Sequence, residues 1–247
     1  MVLHGLGVRL ITFDRPGYGH SDRFKTRTVA DVVPDVEAIA DALEVDQFAV
    51  LGRSGGGPHA LACAALLPDR VTRAGILVSL APLAADGLDW FAGMSDSNVL
   101  EYRSAATEPE ALTAALVRTA AEIRVDPASH VTTLGPELPE SDQRMMADVC
   151  LRELLAQNYA EALRGSADGW IDDSLAFCSP WGFEPADIKV PVLIWHGQDD
   201  VFSPVAHSRW LADQIPNASI VIQPGAAHFA AFEVLPDVLA WLTRPPD

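Results

Sequence analysis

The chain has 247 residues, 49% of them hydrophobic, enough for one large α/β domain with a sizeable buried core. Its formal net charge of −17 excludes nucleic acid and anionic membrane surfaces as expected partners, because both would repel it. Cys63, Cys150 and Cys178 are odd in number, far apart and without CxxC spacing, so neither a zinc site nor a disulfide framework is indicated, and a cytoplasmic location is the plain reading.

The opening MVLHGLGVRL lacks a basic start followed by a long apolar core, so it does not read as a signal peptide. No uninterrupted apolar run approaches the length of a membrane span. Val8 to Phe13 (VRLITF) predicts the first buried parallel strand. Val29, Val32, Val33, Val36, Ile39, Ala40 and Leu43 then keep helical spacing, with Pro34 expected to kink or split the helix. A second strand is predicted over Phe48 to Gly52, a helix over Pro58 to Leu67 and a third strand over Gly75 to Leu80. From about Pro82 to Pro185 the strand signal stops. Ala111 to Glu122 is helical in pattern, and Leu151, Leu154, Leu155, Tyr159 and Ala162 recur at helical spacing.

Strands resume at Val190 to Gly197 and at Ala218 to Gln223, and a helix interrupted by Pro236 closes the chain over Phe229 to Leu242. These strand runs are short, rich in Val, Ile and Leu, and bounded by Gly, Pro or Asp, as strands covered on both faces should be. The alternation predicts an α/β fold with a mostly parallel sheet and helices on both faces. Residues 1–82 and 186–247 form its expected core, and 83–185 an inserted helical lid. An independent domain is the other reading of that block.

Gly52-Arg53-Ser54-Gly55-Gly56 fits G-x-S-x-G and stands straight after a strand and straight before a helix. A turn that sharp holds its apex in a strained conformation, and a Cβ at the flanking positions is expected to collide. The apex side chain would project at the carboxyl end of the sheet, above a helix N-terminus that offers free N–H groups to an oxyanion. A glycine-rich turn with a capping serine is the bland alternative. A serine hydroxyl needs a base, and the base an orienting carboxylate, in the chain order Ser, Asp or Glu, His. Two strand ends supply them: Asp199-Asp200 after VLIWHG, and His228 after the loop PGAA. No lysine follows the glycines as a P-loop requires, and Asp22 stands where Gly17-Tyr18-Gly19 would need a third glycine for a dinucleotide fingerprint.

With FDRPGYGHSD (Phe13 to Asp22), GRSGGGPHAL (Gly52 to Leu61), GQDDVFSP (Gly197 to Pro204) and GAAH (Gly225 to His228), the chain resembles the α/β-hydrolases. The likeness is to their lid-bearing group, which includes esterases, C–C bond hydrolases and proline iminopeptidase-like enzymes. The resemblance makes Ser54 the nucleophile and His228 the general base. By its position between Gly197 and Pro204 it selects Asp200 over Asp199 as the acid, and it makes the Gly55 N–H an oxyanion donor. Serine at position 54 argues against epoxide hydrolases and haloalkane dehalogenases, which carry aspartate there. His59 and His196 are expected to be packed or hydrogen-bonded, and His20, His130 and His207 to lie at the surface. Trp90, Trp170 and Trp181 are either pocket walls or packing. Arg53 either meets a substrate carboxylate or sits in a structural salt bridge.

One piece departs from the pattern. The family has a strand ending in His-Gly, whose following loop gives the second oxyanion N–H. Here Leu3-His4-Gly5 lies almost against the Val8 run, too close for a parallel crossover. Either MVLHGLG is the tail of a helix, in which case the chain lacks the family's N-terminal strands, or the segment is shortened. The expected function is a serine hydrolase acting on a small-molecule carboxylic ester, amide or activated C–C bond, with no metal or organic cofactor. The alternative is a non-catalytic small-molecule binding protein on the same fold with an incomplete oxyanion hole.

Overall fold

Four of the apolar runs form strands in the computed structural model, which describes residues 2–135 and 138–244. They are β1 (Phe48–Arg53), β2 (Val71–Leu77), β3 (Val192–Gly197) and β4 (Ala218–Gln223), all parallel and hydrogen-bonded in that order. Helices α1 (Val2–Gly5), α2 (Val33–Ala42) and α3 (Gly56–Leu66) precede β2. Between β2 and β3 come α4 (Asp96–Thr107), α5 (Pro109–Val125), α6 (Pro127–Thr133), α7 (Glu140–Met145), α8 (Val149–Ala162) and α9 (Asp168–Phe177). Helices α10 (Val205–Gln214) and α11 (Leu235–Leu242) frame β4. Proline sets two boundaries as expected. Pro34 opens α2 after a 3-10 turn at Val29–Val32, and Pro236 opens α11 after another at Phe229–Phe232.

The two-residue period of the strands sorts side chains to opposite faces. Ala74, Ile76, Val192 and Ile194 pack with α3 and with Leu211 and Ile215 around α10. Leu77 and Trp195 face the other way, onto Val238 and Leu242 of α11. Helices therefore cover both faces, and the ends of β1, β3 and β4 open onto one rim. Strands β2 and β3 are buried, whereas the edge strands β1 and β4 are half-exposed, contrary to the expectation of cover on both sides. Strand β2 also starts earlier than expected and stops at Leu77; Val78 still donates its N–H to Trp195 O, but its left-handed φ of 46° turns the chain out of the strand.

The predicted strand at Val8 to Phe13 does not form. The segment is extended but pairs with no strand among the described residues, and it leaves Leu10, Ile11 and Phe13 exposed. Apolar β-rich composition needs a neighbouring ladder to become a strand, and β1 instead ends the sheet on that side. Upstream, His4 and Gly5 belong to α1, as the helix reading of MVLHGLG anticipates.

What anchors the following segment is charge. The Asp173 carboxylate, on α9, is fully buried and receives Arg15 Nη2 at 2.5 Å, Arg27 Nη1 at 2.6 Å and the Tyr18 hydroxyl at 2.9 Å. His59 Nε2 of α3 lies 3.1 Å from it. Arg23 bridges two further acids of the same helix, the adjacent Asp172 at 2.7 Å and Asp168 at 2.6 Å. Burial alone would raise the Asp173 pKa, but two guanidinium groups and the imidazole hold it well below the usual carboxylate range. The backbones also touch. Gly169 N donates to Gly17 O, and a Cβ on Gly17, whose φ is +87°, would strike Gly169.

Removing one partner from a buried ion cluster leaves uncompensated charge, at a cost of about 3–5 kcal/mol. Asp173→Asn is therefore expected to lower the melting temperature by about 6–20 °C, read by circular dichroism on heating. A fall of less than about 2 °C would show that the cluster contributes little.

Candidate active site

The Ser54 turn is built from backbone constraints. Ser54 sits between β1 and α3 with φ +53°, a left-handed conformation that costs a non-glycine residue about 1–2 kcal/mol. Its N–H donates to Leu77 O, and its carbonyl accepts from Gly57 N, so the strain is pinned at both ends. A Cβ on Gly52 would lie 2.3 Å from Gly56 O, and one on Gly57 2.2 Å from Ser79 Oγ. Gly55 is tight against Phe177, but a Cβ on Gly56 would meet nothing. The collisions expected on both sides of the serine thus fall on Gly52 and Gly57, because α3 is already turning away at Gly56.

At the end of β3, Asp200 is buried while its neighbour Asp199 is exposed. Asp200 Oδ1 accepts from the N–H groups of Phe202 and Ser203, and Oδ2 accepts from His228 Nδ1 at 2.8 Å. His196 Nε2 donates to Ser203 O and lies 3.2 Å from Oδ2. Burial alone would raise the Asp200 pKa, but the two imidazoles and these hydrogen bonds hold it far below the ordinary carboxylate value. Burial presses the His228 pKa below its usual value, with Asp200 opposing. With Nδ1–H committed to Asp200, Nε2 is left as the acceptor nitrogen. No hydrogen bond joins it to Ser54, but both residues line one cavity of about 720 Å³.

Two residues at this site carry no sequence signal of their role. Asp142, a fully buried acid on α7, accepts from the backbone N–H of His228 at 3.1 Å and of Phe229 at 2.9 Å. It ties a helix between β2 and β3 directly to the histidine loop. Burial pushes its pKa up to about 6 against the pull of those N–H groups. A single acid in a short helix has no spacing that would betray such a contact. The other residue is Glu101 on α4, half-buried on the cavity wall with Trp170 Nε1 and Ser174 Oγ donating to one of its oxygens.

The remaining histidines and tryptophans divide between packing and cavity. His59 and His196 are buried and hydrogen-bonded, as expected. His207, expected at the surface, is buried; its Nδ1 accepts from Ala81 N and its Nε2 donates to Trp90 O. His20 is exposed, and His130 is half-buried on the cavity wall. Trp90 and Trp181 are packed in the core, whereas Trp170 lines the cavity. His4 and Gly5 line none of it. Among the described residues, no three His, Cys, Asp or Glu side chains cluster as a metal site would require. None of the described helices is long and apolar enough to cross a membrane.

Comparison with known proteins agrees with this architecture. The chain is 26% identical to a pimeloyl-[acyl-carrier protein] methyl ester esterase of Nitrosomonas europaea over 220 residues, covering 89% of this chain and 78% of that one. It is 29% identical to a non-heme chloroperoxidase of Streptomyces lividans over 244 residues, covering 96% and 82%. Among solved structures, a bromoperoxidase from Bacillus anthracis superposes with a TM-score of 0.69 at 19% identity, over 98% of this chain and 83% of that one. The sequence profile of the alpha/beta hydrolase fold matches residues 3–234. The chain therefore belongs to the alpha/beta hydrolase family.

Proposed function

We propose that this chain is a serine hydrolase that cleaves a carboxylic ester of a small molecule, with an amide or an activated C–C bond open to the same chemistry. The observation that carries this reading is that His228, paired with Asp200 at 2.8 Å, lines the same cavity as a serine on a strained turn. Ser54 attacks the carbonyl carbon while His228 Nε2 takes its proton. Asp200 keeps the other ring proton on Nδ1 and stabilises the imidazolium as it forms. The Gly55 N–H, at the open N-terminus of α3, receives the developing oxyanion. Protonated His228 gives its proton to the leaving group, and water then releases the acyl group by the same route. Relatives named as an esterase and as a 2-hydroxy-6-oxononadienedioate/2-hydroxy-6-oxononatrienedioate hydrolase, the latter 24% identical, support this class of chemistry.

Helices α4 to α9 act as a lid in this reading, since Glu101, Leu116, Tyr159 and Trp170 close the cavity from that side. Asp142 links the lid to the base, because its carboxylate holds the backbone at His228. The second oxyanion donor of the family's pattern is not supplied by His4-Gly5, and that favours one rival, a binding protein on the same fold.

A fluorophosphonate probe separates the two. Labelling of the native protein and its loss in Ser54→Ala are expected, with nitrophenyl ester hydrolysis falling by about 10³-fold or more in the variant. An unreactive native protein supports the binding role instead.

His228 must be neutral to act, and burial lowers its pKa, so kcat/KM is expected to rise with pH along an acid limb centred below the ordinary 6.5 and to level off above it. A limb centred above that value would count against His228 as a buried base. Asp142→Ala is expected to strand two buried N–H groups, at about 1–3 kcal/mol each in thermal unfolding. Asp142→Asn keeps an acceptor oxygen and is expected to lose less, and to leave the limb in place if His228 sets it.

A further inference from the structure

The last residue of β1, immediately before the serine, is an arginine without an anion. Arg53 lines the cavity beside Ser54 and His228. Its guanidinium lies over the Phe232 ring at 4.3 Å and near Phe229 at 5.5 Å. Nη2 donates to His228 O at 3.3 Å, and Nε is buried with no acceptor. No carboxylate forms an ion pair with Arg53 among the described residues, so the structural salt bridge that the sequence left open is not made. Asp200 and Asp142 are close enough to be felt electrostatically. Both are otherwise engaged, Asp200 with His228 and Asp142 with two backbone N–H groups.

The other charged groups of the wall do not answer this arginine. Arg15 is bound to Asp173, Glu101 accepts from Trp170 Nε1 and Ser174 Oγ, and Asp14, the third other charged group of the wall, accepts from the His20 N–H. Burial lowers the Arg53 pKa, the mark of a cation short of solvent and of counterion. A buried cation is costly unless something pairs with it, and the cavity that Arg53 lines is where an anion could reach it. A single unpaired guanidinium suits a monoanion. A phosphate dianion would bring a second charge that the cavity's other arginine, already paired, does not meet.

We infer that Arg53 is a specificity residue that binds a carboxylate carried by the substrate, so that the preferred substrate is an ester of an acid or alcohol bearing a second, free carboxylate. The inference rests on the hydrolase reading above and narrows its substrate class. Two sources of that carboxylate are compatible with the site, the acyl half and the alcohol half of the ester.

The test uses two matched pairs assayed by pH-stat titration. Methyl hydrogen glutarate is compared with its neutral terminal amide, and O-acetylglycolate with its amide. At least one acid is expected to exceed its amide by about tenfold or more in kcat/KM, mainly through KM. The pair that shows the preference identifies which half carries the charge. Arg53→Gln keeps a donor for the His228 carbonyl but removes the charge, and is expected to bring the ratio near one. Arg53→Lys is expected to recover part of it, which a packing role would not require.

Calorimetry of glutarate and glycolate with Ser54→Ala protein keeps this result separate from the nucleophile assignment. Binding of either in Ser54→Ala that is lost in Ser54→Ala/Arg53→Gln supports the subsite even where no ester is hydrolysed. Equal turnover of acid and amide in both pairs overturns the inference, as does a preference that survives Arg53→Gln. Where no ester is turned over, absence of both acids from the Ser54→Ala site overturns it too.

Discussion

The molecule depends on one buried carboxylate. Asp173 takes charge-assisted contacts from two arginines, a tyrosine and a histidine that belong to separate parts of the chain. A sheet normally attaches its outer segments by backbone ladders, yet the segment before β1 has no ladder here. Side-chain charge takes over that task and locks residues 15–27 to α9 and α3. Such a cluster is specific in direction, since a guanidinium fork fits a carboxylate in few orientations. It therefore fixes where Arg15 and Tyr18 stand on the cavity wall as well as holding them there.

A second carboxylate organises the rim by similar means. Asp200 is held by two backbone N–H groups on one oxygen and by imidazoles on the other, so its rotamer and charge are both set before any ligand arrives. The strained backbone at Ser54 and Val78 lies at the ends of adjacent strands, where β1 and β2 stop. Rigid strands thus end in unfavourable conformations that tight packing maintains. Gly52 and Gly57 give the turn the space it needs, each against a neighbour that a methyl group would displace.

Much of this was legible in the residues. The glycine-flanked serine, the acid after VLIWHG and the histidine after ASIVIQ announced themselves through strand ends and turn chemistry; the structure sets the serine and the histidine on one cavity wall, with Asp200 bonded to the histidine. The choice of Asp200 over Asp199 needed the family's pattern, because the two differ only in which way the loop faces them. Val8 to Phe13 misled for a physical reason. Its composition is that of a strand, but a strand is a relation between two segments and the sequence does not state whether the second is present. Asp142 and Asp173 were illegible because their partners lie 86 and 158 positions away. His207 was placed at the surface because a histidine on a helix gives no sign that a carbonyl and an N–H await its two nitrogens.

The strand that carries the serine is also one of the two edge strands. It leans on β2 along one flank and on α3 along one face, while its other flank meets no ladder among the described residues. Half of its hydrogen-bonding groups thus look outward. The serine is mounted on a cantilever, and its stiffness depends on the join to β2 more than on the sheet as a whole. The aim of the hydroxyl at its tip therefore hangs on that one seam, which the Ser54 N–H to Leu77 O bond carries past the end of β1.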